Sequence, residues 1–200
     1  MKLYAAVLMA LLPCLAAVPA IDKNKALGNP TAPVRLEIFS DFTCPHCRVL
    51  HETVLPQLMK DYVVNGKVYI VDRAFPLTGS GHEHSREAFD YAVAAARIGK
   101  YQEVADALYA QQGTWALNGN VWGTVASALP SAADQKKVQA LSKDPGVLAE
   151  VEAEYQEAVA LGLNQTPTLV VTVGGKHYPP LPPAPDYRFL KSMIDELLPK

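Results

Sequence analysis

Cysteine is scarce in this chain, which has three among its 200 residues, at positions 14, 44 and 47. A small exported fold that depends on disulfides needs several cysteine pairs that are distant from one another in sequence. Cys44 and Cys47 are close neighbours, and a bridge that closes so short a loop contributes little stability. The scarcity excludes a disulfide scaffold and indicates that this pair serves chemistry rather than stability.

A strong charge of either sign is also missing. The formal net charge is −2, and acidic and basic residues are spread along the chain. We see no basic patch that would favour a nucleic-acid partner, no charge block typical of a tail, and no internal repeat. Hydrophobic residues make up 50% of the chain, which is enough for the core of one domain, with or without a sizeable insertion.

Long apolar runs are absent except near the N-terminus. A short basic start, an apolar run over residues 3–17 and small residues before a cut after Ala20 are typical of a signal peptide. A membrane-spanning helix needs about 20 apolar residues, and this run is shorter and interrupted by Pro13. We therefore predict a signal peptide at 1–20 and export to the periplasm or another extracytoplasmic location. The alternatives are an uncleaved anchor and, more weakly, a lipoprotein attached through Cys14.

Hydrophobic periodicity divides the remaining chain into strands and helices. The predicted strands are 34–40, 67–73, 168–173 and a hairpin partner at 176–178. The predicted helices are one that follows the cysteine pair, with a kink at Pro56, and then 85–98, 101–112, 121–129, 131–141, 144–161 and 186–198. Gly113 is expected to end the third of these helices.

The order of these elements fits an α/β fold, with a central sheet and helices on both faces. The helical block from about 76 to 144 is expected to be an insertion between the two halves of the sheet. Within the helix 144–161, we expect four apolar side chains to face inward: Leu148, Val151, Tyr155 and Ala158.

The motif Cys44-Pro45-His46-Cys47 lies where the first predicted strand passes into a helix. A helix N-terminus offers unpaired N–H groups and a partial positive charge, which lower the pKa of a thiol placed there. We therefore expect Cys44 to attack substrates and Cys47, one turn deeper, to resolve the mixed disulfide. Pro45 suits the first turn of a helix, and His46 can donate a hydrogen bond or positive charge to the Cys44 thiolate. The alternatives are a static disulfide and half of a metal site.

The segment FSDFTCPHC at residues 39–47 resembles the active-site segment of the DsbA-like family of thioredoxin-fold oxidoreductases. The resemblance continues through Phe75-Pro76-Leu77 and the alanine-rich stretch after it. It then reaches Gln165-Thr166-Pro167-Thr168, which is similar to the cis-proline loop of the family. These motifs occur in the right order and extend over most of the chain.

The resemblance implies a thioredoxin fold with an inserted helical domain. Residues 21–75 and 145–200 would form the thioredoxin domain, and 76–144 the helical insertion. It also implies a thiol:disulfide oxidoreductase that oxidises dithiols in reduced exported proteins and is reoxidised by a quinone-coupled membrane partner. We expect no cofactor, no metal and no nucleic-acid partner.

Thr166 and Pro167 are the candidate substrate-binding residues. A bond that precedes proline adopts the cis form at little cost, and a cis bond would turn the Thr166 backbone outward beside Cys44. The resemblance implies that this backbone pairs with an extended substrate peptide, as in strand addition. The alternative is an ordinary trans-proline turn before a strand.

Glu37 is a candidate proton relay for Cys47, because strand alternation places it on one face of an otherwise apolar strand. Its alternative is an exposed strand residue. A zinc site built from the cysteine pair, His51 and one of two loop histidines, His82 or His84, is a further alternative. Surface and solvated-loop positions explain these histidines more simply, and Arg48 after Cys47 excludes a haem-attachment motif.

Three functions remain at this point. The leading one is an oxidase, and its nearest rival is a reductase or isomerase on the same fold. Isomerases of this kind carry an N-terminal dimerisation region, whereas about 13 residues separate Ala20 from the first strand, so we expect a monomer. A rival of another class is a non-enzymatic module that binds metal or peptide through the same loop.

Overall fold

The structure, a computed structural model, describes residues 23–181 and 184–199. The predicted signal peptide and Cys14 lie outside these residues. Within the described residues, no helix is both long enough and apolar enough to cross a membrane.

Five strands form one mixed sheet in the order β1-β3-β2-β4-β5. Their bounds are Ala26–Leu27 (β1), Val34–Ser40 (β2), Val68–Ala74 (β3), Thr168–Val173 (β4) and Lys176–His177 (β5). β2 lies at the centre, parallel to β3 and antiparallel to β4. The four predicted strands are all present. β1, which pairs with β3, was missed because two residues are too few to show an alternating pattern.

One helical segment, residues 45–63, follows β2 and changes its hydrogen-bonding pattern along its length. It consists of α1 (Pro45–Val49), a π turn (Leu50–Val54), α2 (Leu55–Leu58) and a second π turn (Met59–Val63). The first π turn precedes Pro56, whose ring and missing N–H exclude an ordinary helical bond. The N–H of Leu55 bonds to the carbonyl of Leu50 instead. The helix therefore changes its hydrogen-bonding pattern next to Pro56, and the predicted kink in its axis stays a prediction.

A short 3-10 helix at Lys23–Lys25 and seven further α-helices complete the described chain. The α-helices are α3 (Ser85–Ala96), α4 (Tyr101–Ala110), α5 (Gln112–Asn118), α6 (Val121–Ser127), α7 (Ala132–Leu141), α8 (Pro145–Ala160) and α9 (Tyr187–Leu197). α3 is central to the helical block and packs against α4, α6, α7 and α8. This block lies between β3 and α8, where the insertion was predicted. Its boundaries at 76 and 144 stay a prediction.

Two expectations about helices were wrong. Gly113 does not end helical structure, because α5 begins at Gln112 and buries Gln112 and Trp115, so packing overrides the weak helix propensity of glycine. Leu148 is exposed, and Val147 is buried in its place. Val151 and Ala158 are buried as predicted. The buried stripe of α8 also carries Glu150 and Glu154, which apolar periodicity does not reveal.

The two faces of the sheet have separate cores. On one face, Leu36 and Ile38 of β2 pack with the helical segment 45–63 and with Leu190 and Ile194 of α9. On the other face, Phe39 packs in a smaller cluster beside α8. The predicted alternation along β2 is thus confirmed, and the helical segment 45–63 is fixed with its N-terminus at the end of β2.

Candidate active site

Cys44 and Cys47 lie at the junction between β2 and α1. Cys44 is the N-cap residue of α1, with an extended backbone and no side-chain cap, and Pro45 occupies the first turn. The side chains of Cys44 and Cys47 are 6% and 1% exposed, and both are free thiols. A cap position without a capping side chain leaves N–H groups directed at the sulfur of Cys44.

The surroundings of Cys44 stabilise its thiolate. They lower its pKa from 9.0 to about 5, and the largest cause is a hydrogen bond from the Cys47 side chain. Partial burial opposes this effect, whereas the Thr166 side chain and the backbone N–H groups of Cys47 and His46 add to it. Hydrogen bonds to the charged form of an acid favour that form. The groups that can donate to the thiolate at the helix N-terminus are therefore the Cys47 thiol, the Thr166 hydroxyl and two backbone N–H groups.

Cys47 has the opposite character. Burial raises its pKa well above 9.0, and the neighbouring Cys44 raises it further, whereas the backbone N–H of Asp41 lowers it. That N–H donates to the Cys47 sulfur over 3.4 Å. Cys47 is thus a protonated thiol at neutral pH, with its sulfur beside that of Cys44.

Thr166 and Pro167 lie against Cys44. The Thr166–Pro167 peptide bond is cis, so the alternative of a trans-proline turn is wrong. The Cys44 thiol donates to the Thr166 carbonyl over 3.3 Å. The Thr166 hydroxyl is buried and, among the described residues, has no hydrogen-bond acceptor of its own, so it is available to donate to the thiolate.

His46 and Pro45 are both exposed beside the dithiol. The contribution of His46 to the low pKa of Cys44 comes from its backbone N–H. The predicted role of the imidazole stays a prediction, and the position of that imidazole at the surface suits contact with a bound protein.

Glu37 lies in a buried ion-pair network. Its carboxylate accepts from Arg73 over 2.7 Å and from Arg35 over 2.8 Å, and Arg73 also pairs with Glu154, which binds Lys25. Glu37 is 6% exposed, so the alternative of an exposed strand residue is wrong. Its role as a proton relay stays a prediction.

His51 and His82 form hydrogen bonds with residues other than the cysteines. His51 bonds to Asp106 over 2.7 Å, and His82 bonds to Thr43 over 2.5 Å. Within residues 23–181 and 184–199, no cluster of three or more histidine, cysteine or acidic side chains could hold a metal ion. His82 is nevertheless more than a solvated loop residue, because it contacts the residue before Cys44.

Gln112 is a site residue that sequence reasoning missed. Its side-chain amide is buried and donates to the carbonyls of Phe42 and Cys44 over 2.7 and 3.0 Å. It thereby ties α5 of the insertion to the turn that carries the dithiol. The sequence gives no local signal for this contact, because the partners are about 70 residues apart.

Comparison with known proteins identifies the family. The family model described as thioredoxin matches residues 21–195. The chain belongs to the thioredoxin family. A probable disulfide bond formation protein D of Bacillus cereus is 27% identical over 186 residues, which cover 90% of this chain and 82% of that protein.

Solved structures of DsbA proteins share the fold of this chain. The crystal structure of α-DsbA1 from Wolbachia pipientis superposes with a TM-score of 0.73 at 20% identity, covering 86% of this chain and 89% of the other. A thioredoxin-like oxidoreductase from Silicibacter pomeroyi superposes with a TM-score of 0.67 at 26% identity, covering 88% and 97%. The predicted thioredoxin fold with a helical insertion is confirmed, and the chain is a protein thiol:disulfide oxidoreductase.

The three segments that carried the resemblance meet in this thioredoxin-family oxidoreductase. The sulfur of Cys44 touches Thr166 of the cis-proline loop. The N–H of Leu77, from the Phe75-Pro76-Leu77 segment, donates to the Asp41 carboxylate over 2.7 Å. The motifs that are far apart in sequence therefore form one site around the dithiol.

Proposed function

We propose that this oxidoreductase is a dithiol oxidase, which introduces disulfides into exported proteins through Cys44 and Cys47. The observation that carries the proposal is the low pKa of Cys44, about 5. A stabilised thiolate favours the reduced form of the protein, so its disulfide tends to be given away. The same thiolate is a good leaving group when a client thiol attacks a mixed disulfide.

The proposed reaction has two exchange steps. A client thiolate attacks the sulfur of Cys44 in the Cys44–Cys47 disulfide, and Cys47 leaves and takes up a proton, as its raised pKa favours. The second client thiolate then attacks the client sulfur of the mixed disulfide, and Cys44 leaves as a thiolate. Two electrons and the thiol protons leave the client, which gains one disulfide, and the protein becomes the dithiol.

Thr166 is the proposed contact for the client backbone. Its carbonyl lies 3.3 Å from the Cys44 sulfur, so a peptide that lies along residues 166–167 would place its cysteine at Cys44. An extended peptide would gain main-chain hydrogen bonds there, as in strand addition. Pro45 and His46, which are exposed beside the dithiol, would also contact the peptide.

The cellular setting of the proposal rests on the predicted signal peptide and on the similarity to a disulfide bond formation protein. Both support an extracytoplasmic location and reduced, newly exported proteins as clients. A quinone-coupled membrane protein would accept the two electrons from the Cys44–Cys47 dithiol. We propose that the protein acts as a monomer.

A direct test uses a reduced, denatured client with two cysteines and the protein in its disulfide form. We expect one client disulfide for each molecule of oxidised protein, with Cys44 and Cys47 both recovered as thiols. Cys44→Ser is the control and should transfer nothing. If the oxidised protein leaves the client reduced, while its dithiol form cleaves insulin disulfides rapidly, the protein is a reductase and the proposal is wrong.

A further inference from the structure

Asp41 carries a fully buried carboxylate beside the dithiol, with 0% exposure. One oxygen accepts from the backbone N–H and from the hydroxyl of Thr43, both over 2.6 Å. The other oxygen accepts from the N–H of Leu77 over 2.7 Å and lies 3.5 Å from Nδ1 of His82. A buried charge needs such partners, because its loss of hydration is otherwise uncompensated.

The hydrogen bonds around Thr43 determine which atom of His82 carries a proton. The Thr43 hydroxyl has one hydrogen, which it donates to the Asp41 carboxylate, an acceptor only. The same hydroxyl oxygen lies 2.5 Å from Nδ1 of His82, so this contact requires Nδ1 to be the donor. The Nδ1–H group of His82 therefore donates to the Thr43 hydroxyl and also points towards the Asp41 carboxylate.

Asp41 is connected to both cysteines through its backbone. Its carbonyl accepts from the N–H of Cys44 over 3.1 Å, and its N–H donates to the sulfur of Cys47 over 3.4 Å. A rotation of the Asp41 peptide units would move both contacts. The side-chain partners of Asp41 thus fix the backbone that positions the two sulfurs.

We propose that His82, acting through Thr43 and Asp41, is a positioning residue for the dithiol, and that its loop between β3 and α3 is a functional part of the active site. The loop supplies two of the groups that hold the Asp41 carboxylate, the N–H of Leu77 and Nδ1 of His82. This role is independent of the direction of disulfide transfer. It gives the insertion a means of tuning the thiolate without touching it.

His82→Ala and His82→Asn test the proposal as a pair. The asparagine amide N–H can replace Nδ1–H as a donor to Thr43, whereas alanine cannot. We expect His82→Ala to raise the pKa of Cys44 by about half a unit, read from thiolate absorbance against pH, and to shift its equilibrium with glutathione about threefold towards the disulfide. His82→Asn should stay within error of the unmodified protein.

The neighbouring His84→Ala is the matched control, since His84 approaches Glu87 at 3.9 Å. Thermal unfolding of each variant separates tuning from loss of structure. An unchanged pKa and glutathione equilibrium in His82→Ala would overturn the proposal. An equal shift in His82→Ala and His82→Asn would also overturn it, because the donated hydrogen bond would then not be the cause.

A double-mutant cycle tests whether His82 acts through Thr43. Thr43→Val removes the hydroxyl that joins His82 to Asp41 and keeps the shape of the side chain. If the hydroxyl transmits the effect, His82→Ala should have almost no further effect once Thr43 is valine. In the Thr43→Val background it should change the glutathione equilibrium by less than about 1.5-fold. A full threefold effect in that background would contradict the proposed route.

Discussion

Cys44 and Cys47 are chemically unequal because different groups surround two neighbouring sulfurs. Hydrogen bonds lower the pKa of Cys44 to about 5, whereas burial raises the pKa of Cys47. The thiol with the lower pKa is the better leaving group, and the thiolate is the nucleophile. This difference in pKa indicates that Cys44 is the cysteine that forms mixed disulfides with client proteins.

Single cysteine variants should therefore behave differently with client proteins. We predict that Cys47→Ser accumulates mixed disulfides with clients, because no internal thiol remains to resolve them, and that Cys44→Ser forms few adducts. Non-reducing gels after alkylation measure both. Adducts that accumulate on Cys44→Ser and not on Cys47→Ser would reverse the assignment.

The Thr166 hydroxyl should contribute measurably to the low pKa of Cys44. Thr166→Val keeps the shape of the side chain and removes the donor, so we predict a rise of about half a unit to one unit in the pKa of Cys44. Thiolate absorbance at increasing pH measures it. Thr172→Val, in the strand β4 that follows Pro167 and bonded to His177, is the control and should leave the titration unchanged. A pKa that falls in Thr166→Val would contradict this assignment.

At the scale of elements, α8 shows how a buried ion network replaces apolar packing. Glu150 and Glu154 face inward, and both bind Lys25, whose side chain is 1% exposed. Glu154 also accepts from the backbone N–H of Ala74 over 2.8 Å. The network thereby joins the segment before β1, the strand β3 and the helix α8.

Removal of one member of this network should be costly. Lys25→Met leaves two buried carboxylates with fewer partners, and we predict a loss of about 3–5 kcal/mol in the free energy of unfolding. Urea denaturation of the reduced protein measures it. Lys191→Met, which breaks an exposed pair with Asp195, is the control and should change the midpoint little. Equal effects of the two variants would show that the buried network does not stabilise the fold.

Local patterns predicted the elements well where burial follows hydrophobicity. The strand at 34–40 alternates between two cores, and Asp144 caps α8 through its side chain, so both were predictable. The burial of Glu154 in α8 was not predictable, because its partners are about 80 to 130 residues away in sequence. β1 was too short to give a pattern.

The same limit applies to the site. The cysteine pair and the loop at Pro167 have sequence signatures, because a helix start and an X-Pro bond are local features. Gln112 and His82 have none, since each contacts the turn between β2 and α1 from a distant part of the sequence. Residues that position a reactive group from a distance become visible only when the chain is folded.

At the scale of the whole molecule, the disulfide and the thiolate stabilise opposite redox forms. A bridge that closes a four-residue loop favours the oxidised form by about 2 kcal/mol on the chain-entropy model. A folded pKa of about 5 against 9.0 unfolded favours the reduced form by about 3 kcal/mol at pH 7. Cys47 is protonated in both states at that pH, so it adds nothing.

The order of stability of the two forms should consequently reverse with pH. The Cys44 thiolate stabilises the reduced fold fully above pH 9, and this gain is lost as the pH falls through 5. We predict that the reduced form unfolds at higher urea than the oxidised form at pH 7, and at lower urea at pH 4. The midpoints of both forms at the two pH values measure this. A more stable oxidised form at both would show that the thiolate is not stabilised enough to drive oxidation.

The equilibrium of Cys44 and Cys47 with glutathione at pH 7 tests the proposed oxidase most directly. An oxidase must hold its disulfide less tightly than its clients do, so we predict a potential less negative than about −200 mV, well above the value near −270 mV for the reductant thioredoxin. The fraction reduced, followed by alkylation across a series of glutathione ratios, measures it. A potential at or below about −250 mV would contradict the account and make this protein a reductase.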